Sequence, residues 1–400
     1  MRCSRQQLNL NIKISGRGVC AALTLAIALG LAPGAMPAAK AQTLVVLHTF
    51  TGKNDGGTPL GGLVRDTAGN LYGTTYGGGK AGLGTVFKLD STGKETVLHN
   101  FTGKTDGAYP WSGLFRDTAG NLYGTGEAGG KFHYGAMYKV SPTGTETVLY
   151  SFPGLKGGGF PFAAPVRDSA GNTYTTLWKG GARGYGGVFK LTPTGKGSVL
   201  YSFQGLTDGG YPYDNLILDS ANNLYGTTYW GGTSAEAGVV FKVAPTGKET
   251  VLYKFTGGDD GGNPWSSLVR DSAGNLYGTT FSGGKAGYGV VFKLDTSGTE
   301  TVLHSFQGGN DGENPVAGLT MDASGNLFGT TFYGGTSGLG TVFEVDSNGV
   351  ESVLYSFTGG KDGGNPWGGV IEDGSGNLYG TTEYGGSSGY GFGTAFKLTP

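Results

Sequence analysis

Residues 264–306 read PWSSLVRDSAGNLYGTTFSGGKAGYGVVFKLDTSGTETVLHSF. Four short segments of this stretch, at 264–271, 275–280, 289–294 and 300–306, are rich in Val, Leu, Tyr, Phe or Thr. This composition, with partial alternation of apolar and polar residues, favours β-strands. The intervening DSAGN and DTSGT sequences are typical of tight hairpin turns, because Asp bonds nearby amides and Gly accepts positive φ. The stretch therefore predicts four successive antiparallel strands.

This stretch is one of seven copies. The motif Gly-Asn-Leu-Tyr-Gly-Thr recurs, with drift, every 51 or 52 residues. Its third position is occupied by Leu71, Leu122, Thr173, Leu224, Leu276, Leu327 and Leu378. Four antiparallel strands per repeat are the pattern of a propeller blade. We therefore predict an all-β fold in which residues 42–400 form a single seven-bladed β-propeller.

The two ends of the repeat array are complementary. Residues 43–50 (TLVVLHTF) match a fourth strand without the first three, and residues 396–400 match a third strand without a fourth. We expect the N-terminal strand to complete the last blade and close the ring, which leaves no free sheet edge between the ends. We also expect a monomer.

Residues 1–41 have the features of a cleaved signal peptide. Four basic residues precede a mostly apolar run at 19–31. This run is shorter than the ~18 residues that a membrane-spanning helix needs. Ala39-Lys40-Ala41 fits the small-x-small cleavage rule, so Gln42 is the predicted mature start. The sequence thus predicts an exported protein, located outside the cell, on its surface or in the periplasm of a Gram-negative-type bacterium, with no membrane span after cleavage.

Composition excludes several classes of protein. Glycine accounts for 83 of 400 residues without the collagen period, and aromatic residues at 12% are too frequent for a disordered linker. Both cysteines, Cys3 and Cys20, lie in the signal segment, so the mature chain has no disulfide or thiolate metal site. Residues 42–400 carry 23 basic and 29 acidic side chains. This mildly acidic balance argues against nucleic acid and anionic membranes as partners.

The repeated GNLYGTT, GTVFKLD and ETVLYSF strings resemble the GloVer repeat, a bacterial extracellular repeat family first described from Gloeobacter and Verrucomicrobia. The resemblance extends over residues 43–400. Units three and four depart most, since residues 171–176 read GNTYTT and Asn222 replaces a glycine. The resemblance implies an exported, propeller-like protein, and it implies no particular activity.

The short turns are expected on one face of the disc and the longer, Gly-rich loops on the other, where function usually lies. The loops between blades carry a recurrent Asp, at Asp55, Asp106, Asp208, Asp260, Asp311 and Asp362, with Gly157 in the third unit. The hairpins carry another series, Asp66, Asp117, Asp168, Asp219, Asp271, Asp322 and Asp373. Calcium binding is an alternative role for these aspartates, but each loop supplies few of the ~6–8 oxygen ligands that calcium needs. We therefore favour a turn-stabilising role for the aspartates, with no cofactor.

Residues that differ between blades are better candidates for a site. The position after the second strand, together with its neighbour, gives Tyr76, Glu127, Trp178, Tyr229, Trp230, Phe281, Phe332, Tyr333, Glu383 and Tyr384. Aromatic rings beside carboxylates suit sugars, whose apolar faces stack on rings while their hydroxyls bond acids. The alternative is that these rings pack between blades. We expect Trp111, Trp265 and Trp367, which follow the inter-blade proline, to have a packing role.

Three interpretations of function follow. The favoured one is a binding module for a glycan or an extracellular protein, because the sequence shows no established catalytic motif. The second is a carbohydrate-active hydrolase or lyase that uses Glu127, His133 or Glu383. The third is a structural surface protein. His48, His99 and His304 occupy a position that is Tyr in other units, so we expect them to be structural.

Overall fold

In a computed structural model, which describes residues 42–386 and 391–399, each repeat forms one antiparallel four-stranded sheet. The predicted signal peptide lies outside the described residues. The seven sheets are arranged as blades around a central channel, to which every blade contributes lining residues. The all-β, seven-bladed propeller predicted from the repeat is therefore confirmed. No helix within the described part of the chain is long and apolar enough to cross a membrane.

The strands of each blade run from the channel to the rim. The innermost strands are Val64–Arg65, Phe115–Arg116, Val166–Arg167, Ile217–Leu218, Val269–Arg270, Thr320–Met321 and Ile371–Glu372. The second strands are Leu71–Thr75, Leu122–Gly126, Thr173–Leu177, Leu224–Thr228, Leu276–Thr280, Leu327–Thr331 and Leu378–Thr382. The third strands are Thr85–Leu89, Ala136–Val140, Gly187–Leu191, Val239–Val243, Val290–Leu294, Thr341–Val345 and Thr394–Thr399. The outermost strands are Glu95–Asn100, Glu146–Ser151, Gly197–Ser202, Glu249–Lys254, Glu300–Ser305, Glu351–Ser356 and, in the seventh blade, Thr43–Thr49. Short 3-10 helices occur at Leu155–Gly157 and Gly309–Asp311.

The innermost strand is shorter than predicted. Of the eight residues 264–271, only Val269–Arg270 pair with the second strand. The preceding residues line the channel, where segments of neighbouring blades touch through their backbones. A Cβ added to Gly61 would lie 2.2 Å from the backbone nitrogen of Gly113. This crowding near the axis is a contact between blades, so the strand pattern of one repeat could not indicate it.

The N-terminal strand closes the ring, as predicted. Thr43–Thr49 pairs antiparallel with Thr394–Thr399, from Thr43 opposite Thr399 to Thr49 opposite Thr394, with a bulge between Val46 and His48. The seventh blade is thus assembled from both ends of the propeller. Its first three strands come from residues 371–399 and its fourth from the N-terminal side.

Aromatic pairs join each blade to the next. A phenylalanine that follows each outermost strand, at most 2% exposed, packs against an aromatic residue of the next blade's third strand with centroids 4.9–5.2 Å apart. The pairs are Phe50–Phe87, Phe101–Tyr138, Phe152–Phe189, Phe203–Phe241, Phe255–Phe292, Phe306–Phe343 and Phe357–Phe396. Such edge-on pairs stabilise a contact beyond the area they bury. They form the apolar core between the blades.

The hairpin aspartates stabilise turns. In the fourth blade, Asp219 Oδ1 accepts the Asn223 backbone N–H at 2.8 Å, and Asp219 Oδ2 accepts the Asn223 side-chain amide at 2.8 Å and the Tyr225 hydroxyl at 3.0 Å. Burial raises the pKa of this carboxyl, but the hydrogen bonds outweigh that effect and the pKa lies below its usual value. The equivalent aspartates have the same role in the other hairpins.

The inter-blade aspartates also bond within their own loops. Asp106 accepts the Thr102 backbone N–H at 2.8 Å and the Thr102 hydroxyl at 2.7 Å, and His99 Nε2 lies 3.3 Å away. In the same way, the hydroxyl of Tyr201 at the end of the third blade donates to Asp208 of the following inter-blade loop at 2.7 Å. The turn-stabilising interpretation of these aspartates therefore agrees with their contacts, and His99 is structural as expected.

Candidate ligand-binding face

The two long loops of each unit meet on one face, which we call the long-loop face. Short antiparallel bridges join the inter-blade loop to the loop that follows the second strand, such as Gly159 with Lys179 and Gly210 with Trp230. Equivalent bridges occur in all seven units. The residues selected from the sequence therefore share one surface with the inter-blade loops.

One residue of every inter-blade loop adopts a left-handed backbone. The residue before the inter-blade proline has φ between 53° and 57° in all seven units: Thr58, Tyr109, Phe160, Tyr211, Asn263, Asn314 and Asn365. Asparagine tolerates this conformation well. It also caps a neighbouring strand here, because the side-chain amides of Asn263, Asn314 and Asn365 donate to the carbonyl oxygens of Tyr229, Phe281 and Phe332 at 2.8–3.0 Å.

Three consecutive units place an aromatic residue at this position instead. Tyr109, Phe160 and Tyr211, which we call the aromatic arc, have no side-chain amide to cap the strand. A left-handed backbone costs such a residue about 1–2 kcal/mol. The arc therefore retains strain that asparagine reduces in three other units, and Thr58 in the first unit shares this strain. Sequence reasoning missed these residues, although aligning the seven units at the residue before the proline would have revealed them.

The arc packs with other rings of the long-loop face. Tyr109 stacks on Tyr76 with centroids 5.0 Å apart, and Phe160 meets Tyr134 edge-on at 5.7 Å. Tyr211 lies 5.7 Å from Trp230 at an interplanar angle of 35°. None of these rings is fully buried, and Trp178 lies between Phe160 and Tyr211 with ring centroids 6.3 and 6.2 Å away.

Three of the residues selected from the sequence, Trp178, Tyr229 and Trp230, are brought together around one cleft. Its volume is about 270 Å³, and its other lining residues are Lys179, Tyr211 and Tyr213. The Lys179 ammonium lies 3.9 Å from the centre of the Trp178 ring, within the range of a cation–π interaction. We call this the tryptophan cleft.

A larger cleft adjoins it through Lys179. Its volume is about 750 Å³, and it is lined by Tyr134, Phe160, Lys156, Lys179 and a run of glycines and a proline from the same loops. We call this the lysine cleft. The volume of the lysine cleft lies within the range of sites for small ligands, ~300–1,000 Å³, and that of the tryptophan cleft lies just below it.

The other aromatic residues selected from the sequence are spread around the ring. Phe281 packs on Trp265 with centroids 5.7 Å apart. Phe332 is only 9% exposed and packs between Trp367 and Tyr333, so it offers a ligand little surface. Tyr333 and Tyr384, by contrast, are 45% and 41% exposed.

The candidate acids do not form a pair. Burial raises the pKa of Glu127, whose buried Oε2 has no hydrogen-bond partner among the described residues. Burial also raises the pKa of Glu383, against an opposing hydrogen bond from Tyr384, and neither glutamate raises the pKa of the other. His133 lies exposed, and within the described part of the chain no hydrogen bond joins it to Glu127. The geometry thus gives no acid–base couple.

Trp111, Trp265 and Trp367 line the mouth of the channel. Trp367 meets Trp111 at 5.6 Å and Trp265 at 5.5 Å, both edge-on, although the three belong to the seventh, second and fifth units. They therefore pack across the axis of the ring. The channel below them has a volume of about 230 Å³.

The channel contains a polar pair that sequence reasoning missed. Asp214 stands where the other units have Gly, Ser or Ala, and burial raises its pKa to about 6. Asp214 accepts the Ser267 backbone N–H at 2.6 Å, and Asn215 Oδ1 accepts the Ala164 backbone N–H at 2.6 Å. The pair thus connects the inner segments of three blades.

One group of possible metal ligands occurs among the described residues. The ligand atoms of His304, Asp311 and Glu351 lie within 4.8 Å of one another. An imidazole beside two carboxylates differs from the all-oxygen shell that calcium prefers. His304 Nε2 is already 3.0 Å from Asp311, so the contact is explained as a hydrogen bond.

Comparison with known proteins gives a family and a fold. A profile of the Gloeobacter/Verrucomicrobia repeat matches residues 35–176 and 161–396. No curated protein matches the sequence. Among solved structures, the extracellular domain of a proposed hybrid two-component system from B. thetaiotaomicron has a TM-score of 0.55 at 12% identity, with 88% of this chain and 41% of that chain covered. The extracellular domain of a proposed one-component system from the same organism has a TM-score of 0.55 at 11% identity, covering 87% and 39%.

A gluconolactonase from Xanthomonas campestris is a more distant neighbour. It aligns with a TM-score of 0.44 at 14% identity, covering 72% of this chain and 86% of that one. The present chain spans about two fifths of the length of the two extracellular-domain chains from B. thetaiotaomicron. At these identities, the likeness to those two domains indicates a shared fold alone.

Proposed function

Since this chain belongs to the Gloeobacter/Verrucomicrobia repeat family and its rings gather on one sector of the long-loop face, we propose that it is an exported propeller that binds a glycan through that face. The location we propose is the cell surface, the periplasm or the surrounding medium. The glycan would lie across blades two to four, where the aromatic arc and the two clefts are found.

The observation that carries this proposal is the strain in the aromatic arc. Tyr109, Phe160 and Tyr211 hold left-handed backbones at a position where three other units use asparagine. Strained residues persist where the surroundings enforce them, and they cluster at ligand sites. Asparagine occupies this position in three of the other four units and Thr58 in the fourth, so three adjacent aromatic residues are better explained by what their rings contact outside the protein.

The chemistry of the rings favours a sugar. Tyr211, Tyr229 and Trp230 combine an apolar face with a polar edge, which suits a ligand with apolar C–H faces and peripheral hydroxyls. The two clefts adjoin through Lys179, so together they could hold several sugar units in a row. This continuity favours an oligosaccharide over a single sugar.

A second candidate is a carbohydrate-active enzyme with Glu127 as general acid. Its raised pKa and unpartnered oxygen favour this role. However, Glu127 lines neither cleft, and no second carboxyl lies among the described lining residues of the clefts. Binding is therefore the function that the geometry supports better.

A glycan array of residues 42–400, with hits measured again by calorimetry, tests the proposal. We expect Trp230→Ala to weaken binding at least about tenfold, since a central aromatic contact contributes about 2 kcal/mol or more. Tyr211→Asn should weaken binding similarly while leaving the melting temperature unchanged or higher, because asparagine relieves the strained backbone and can cap the Trp178 carbonyl.

Val350→Ala is the matched control. Val350 is 60% exposed and lies in a short turn between a third and a fourth strand, on the opposite face. The Val350→Ala variant should bind glycans as tightly as the unmodified chain. A failure of every glycan to bind, or a Tyr211→Asn variant that binds normally and unfolds earlier, would show that the arc is structural.

A further inference from the structure

The third blade lacks two carboxylates that most of the other blades have. The inter-blade loop contains Asp in six units but Gly157 in the third, directly after Lys156. The outermost strand begins with Glu in five blades, whereas the third blade has Gly197 there. Both changes remove negative charge from one sector of an otherwise mildly acidic propeller.

Two lysines place positive charge at the clefts of this sector. Lys156 and Lys179 line the lysine cleft, and Lys179 also lines the tryptophan cleft. Neither cleft has a carboxylate among its lining residues. Both lysines are exposed, and within the described part of the chain neither forms an ion pair. Among the described residues, no carboxylate therefore pairs with the lysines at the point where the clefts join.

The lysine that joins the clefts is positioned beside a stacking surface. Its ammonium lies 3.9 Å from the Trp178 ring, which holds the cation at the edge of the aromatic floor formed with Tyr211 and Trp230. A sugar ring stacked on that floor would bring its substituents close to the ammonium. An acidic substituent there gains an ion pair in a partly desolvated cleft, where it is stronger than in open water.

From these observations we propose that the glycan is anionic, with its acidic groups bound by Lys156 and Lys179. The inference rests on the proposed glycan-binding function and specifies its ligand class. A carboxylate of a uronic acid and a sulfate ester share the required chemistry. Asp106 and Asp208 remain in the loops of blades two to four, but both are buried. Asp260, Asp311 and Glu313 in the opposite sector are less buried and would repel the same ligand, so the bound chain should follow blades two to four.

The test compares three oligosaccharide probes of equal length on residues 42–400: oligogalacturonate, its fully methyl-esterified form, and a sulfated galactan. We expect at least one anionic probe to bind about tenfold or more tightly than the neutral ester. The affinity should fall as salt rises from 0.05 to ~0.5 M, because salt screens exposed charges. The preferred anionic probe identifies which acidic group is recognised.

Lysine variants show which side chains bind the acidic groups of the probe. Lys156→Gln and Lys179→Gln should each reduce binding of the preferred anionic probe about fivefold or more and leave any binding of the neutral ester unchanged. Lys248→Gln, an exposed lysine in a short turn of the opposite face, is the matched control and should bind like the unmodified chain. Equal binding of the ester and the acids would overturn the anionic inference and leave glycan binding standing. Binding of none of the probes, and of no glycan on the array, would overturn both.

Discussion

Deletion of residues 42–50 is expected to open the ring and to lower the melting temperature by more than about 10 °C. The deletion removes the whole outermost strand of the seventh blade, which pairs with Thr394–Thr399 along its length. It also removes Phe50, which is 2% exposed and packs on Phe87 of the first blade. Truncating such a buried phenylalanine alone costs about 3–5 kcal/mol. Thermal unfolding followed by circular dichroism measures the change.

Two point variants test the contribution of the N-terminal strand to stability without removing the strand. Phe50→Ala should lower the melting temperature by several degrees, because it leaves a cavity at the junction of the first and last blades. Val45→Ala, on the same strand but with a residue that is 50% exposed, should leave it nearly unchanged. A deletion variant that melts with the intact chain would mean that the N-terminal strand does not close the ring.

Stability is also expected to fall as pH rises from about 5 to 8. Five glutamates that begin outermost strands have a pKa raised to about 7, first by burial and then by the charge of an aspartate in the preceding inter-blade loop. They are Glu95, Glu146, Glu249, Glu300 and Glu351. In the unfolded chain they titrate near 4.5, so the folded state binds more protons between pH 4.5 and 7. Their contribution is full below about 4.5 and is lost as pH rises through 7.

The size of this effect is limited by solvent, since each glutamate is partly exposed. After this screening, each ionised glutamate destabilises the folded state by about 1 kcal/mol. The melting temperature should therefore be lower by roughly 5–10 °C at pH 8 than at pH 5. Burial lowers the pKa of His48 and His99, which opposes the trend. Below about pH 4 the hairpin aspartates reverse it, because hydrogen bonds lower their pKa and protonation then destabilises the fold.

Calorimetric melting curves across this pH range are the measurement. Glu300→Gln should raise the melting temperature at pH 8 and flatten the pH profile, because it removes a carboxylate whose buried Oε1 has no partner among the described residues. Glu236→Gln, an exposed control, should change neither. A profile that rises steadily from pH 5 to 8 would contradict the assignment.

The fold was predictable because its determinants are local and repeated. Each hairpin carries its own Asp and a residue that accepts positive φ, which is Asn222 in the fourth unit and Gly in the other six, and seven copies make the blade pattern unmistakable. The late start of the innermost strand was not predictable, since it depends on backbone contact between Gly61 of one blade and Gly113 of the next.

The candidate site was predictable only in part. Trp178, Tyr229 and Trp230 were found because two adjacent alignment positions differ between blades, and the structure brings the three residues together. The aromatic arc was missed because the units were not compared at the residue before the proline, and the left-handed backbone that makes this position unusual is visible only in the structure. Asp214 was missed because its position in the channel depends on the whole ring.

Hydrogen exchange of residues 42–400 with and without a bound acidic oligosaccharide tests the central claim, glycan binding on the long-loop face, most directly. Backbone amide exchange should be slower with the oligosaccharide bound in residues 153–160, 178–184 and 209–213, which contain lining segments of the two clefts. Exchange at the short turns, such as residues 295–299, should not change. Protection confined to the short turns, or no protection by any glycan, would contradict it.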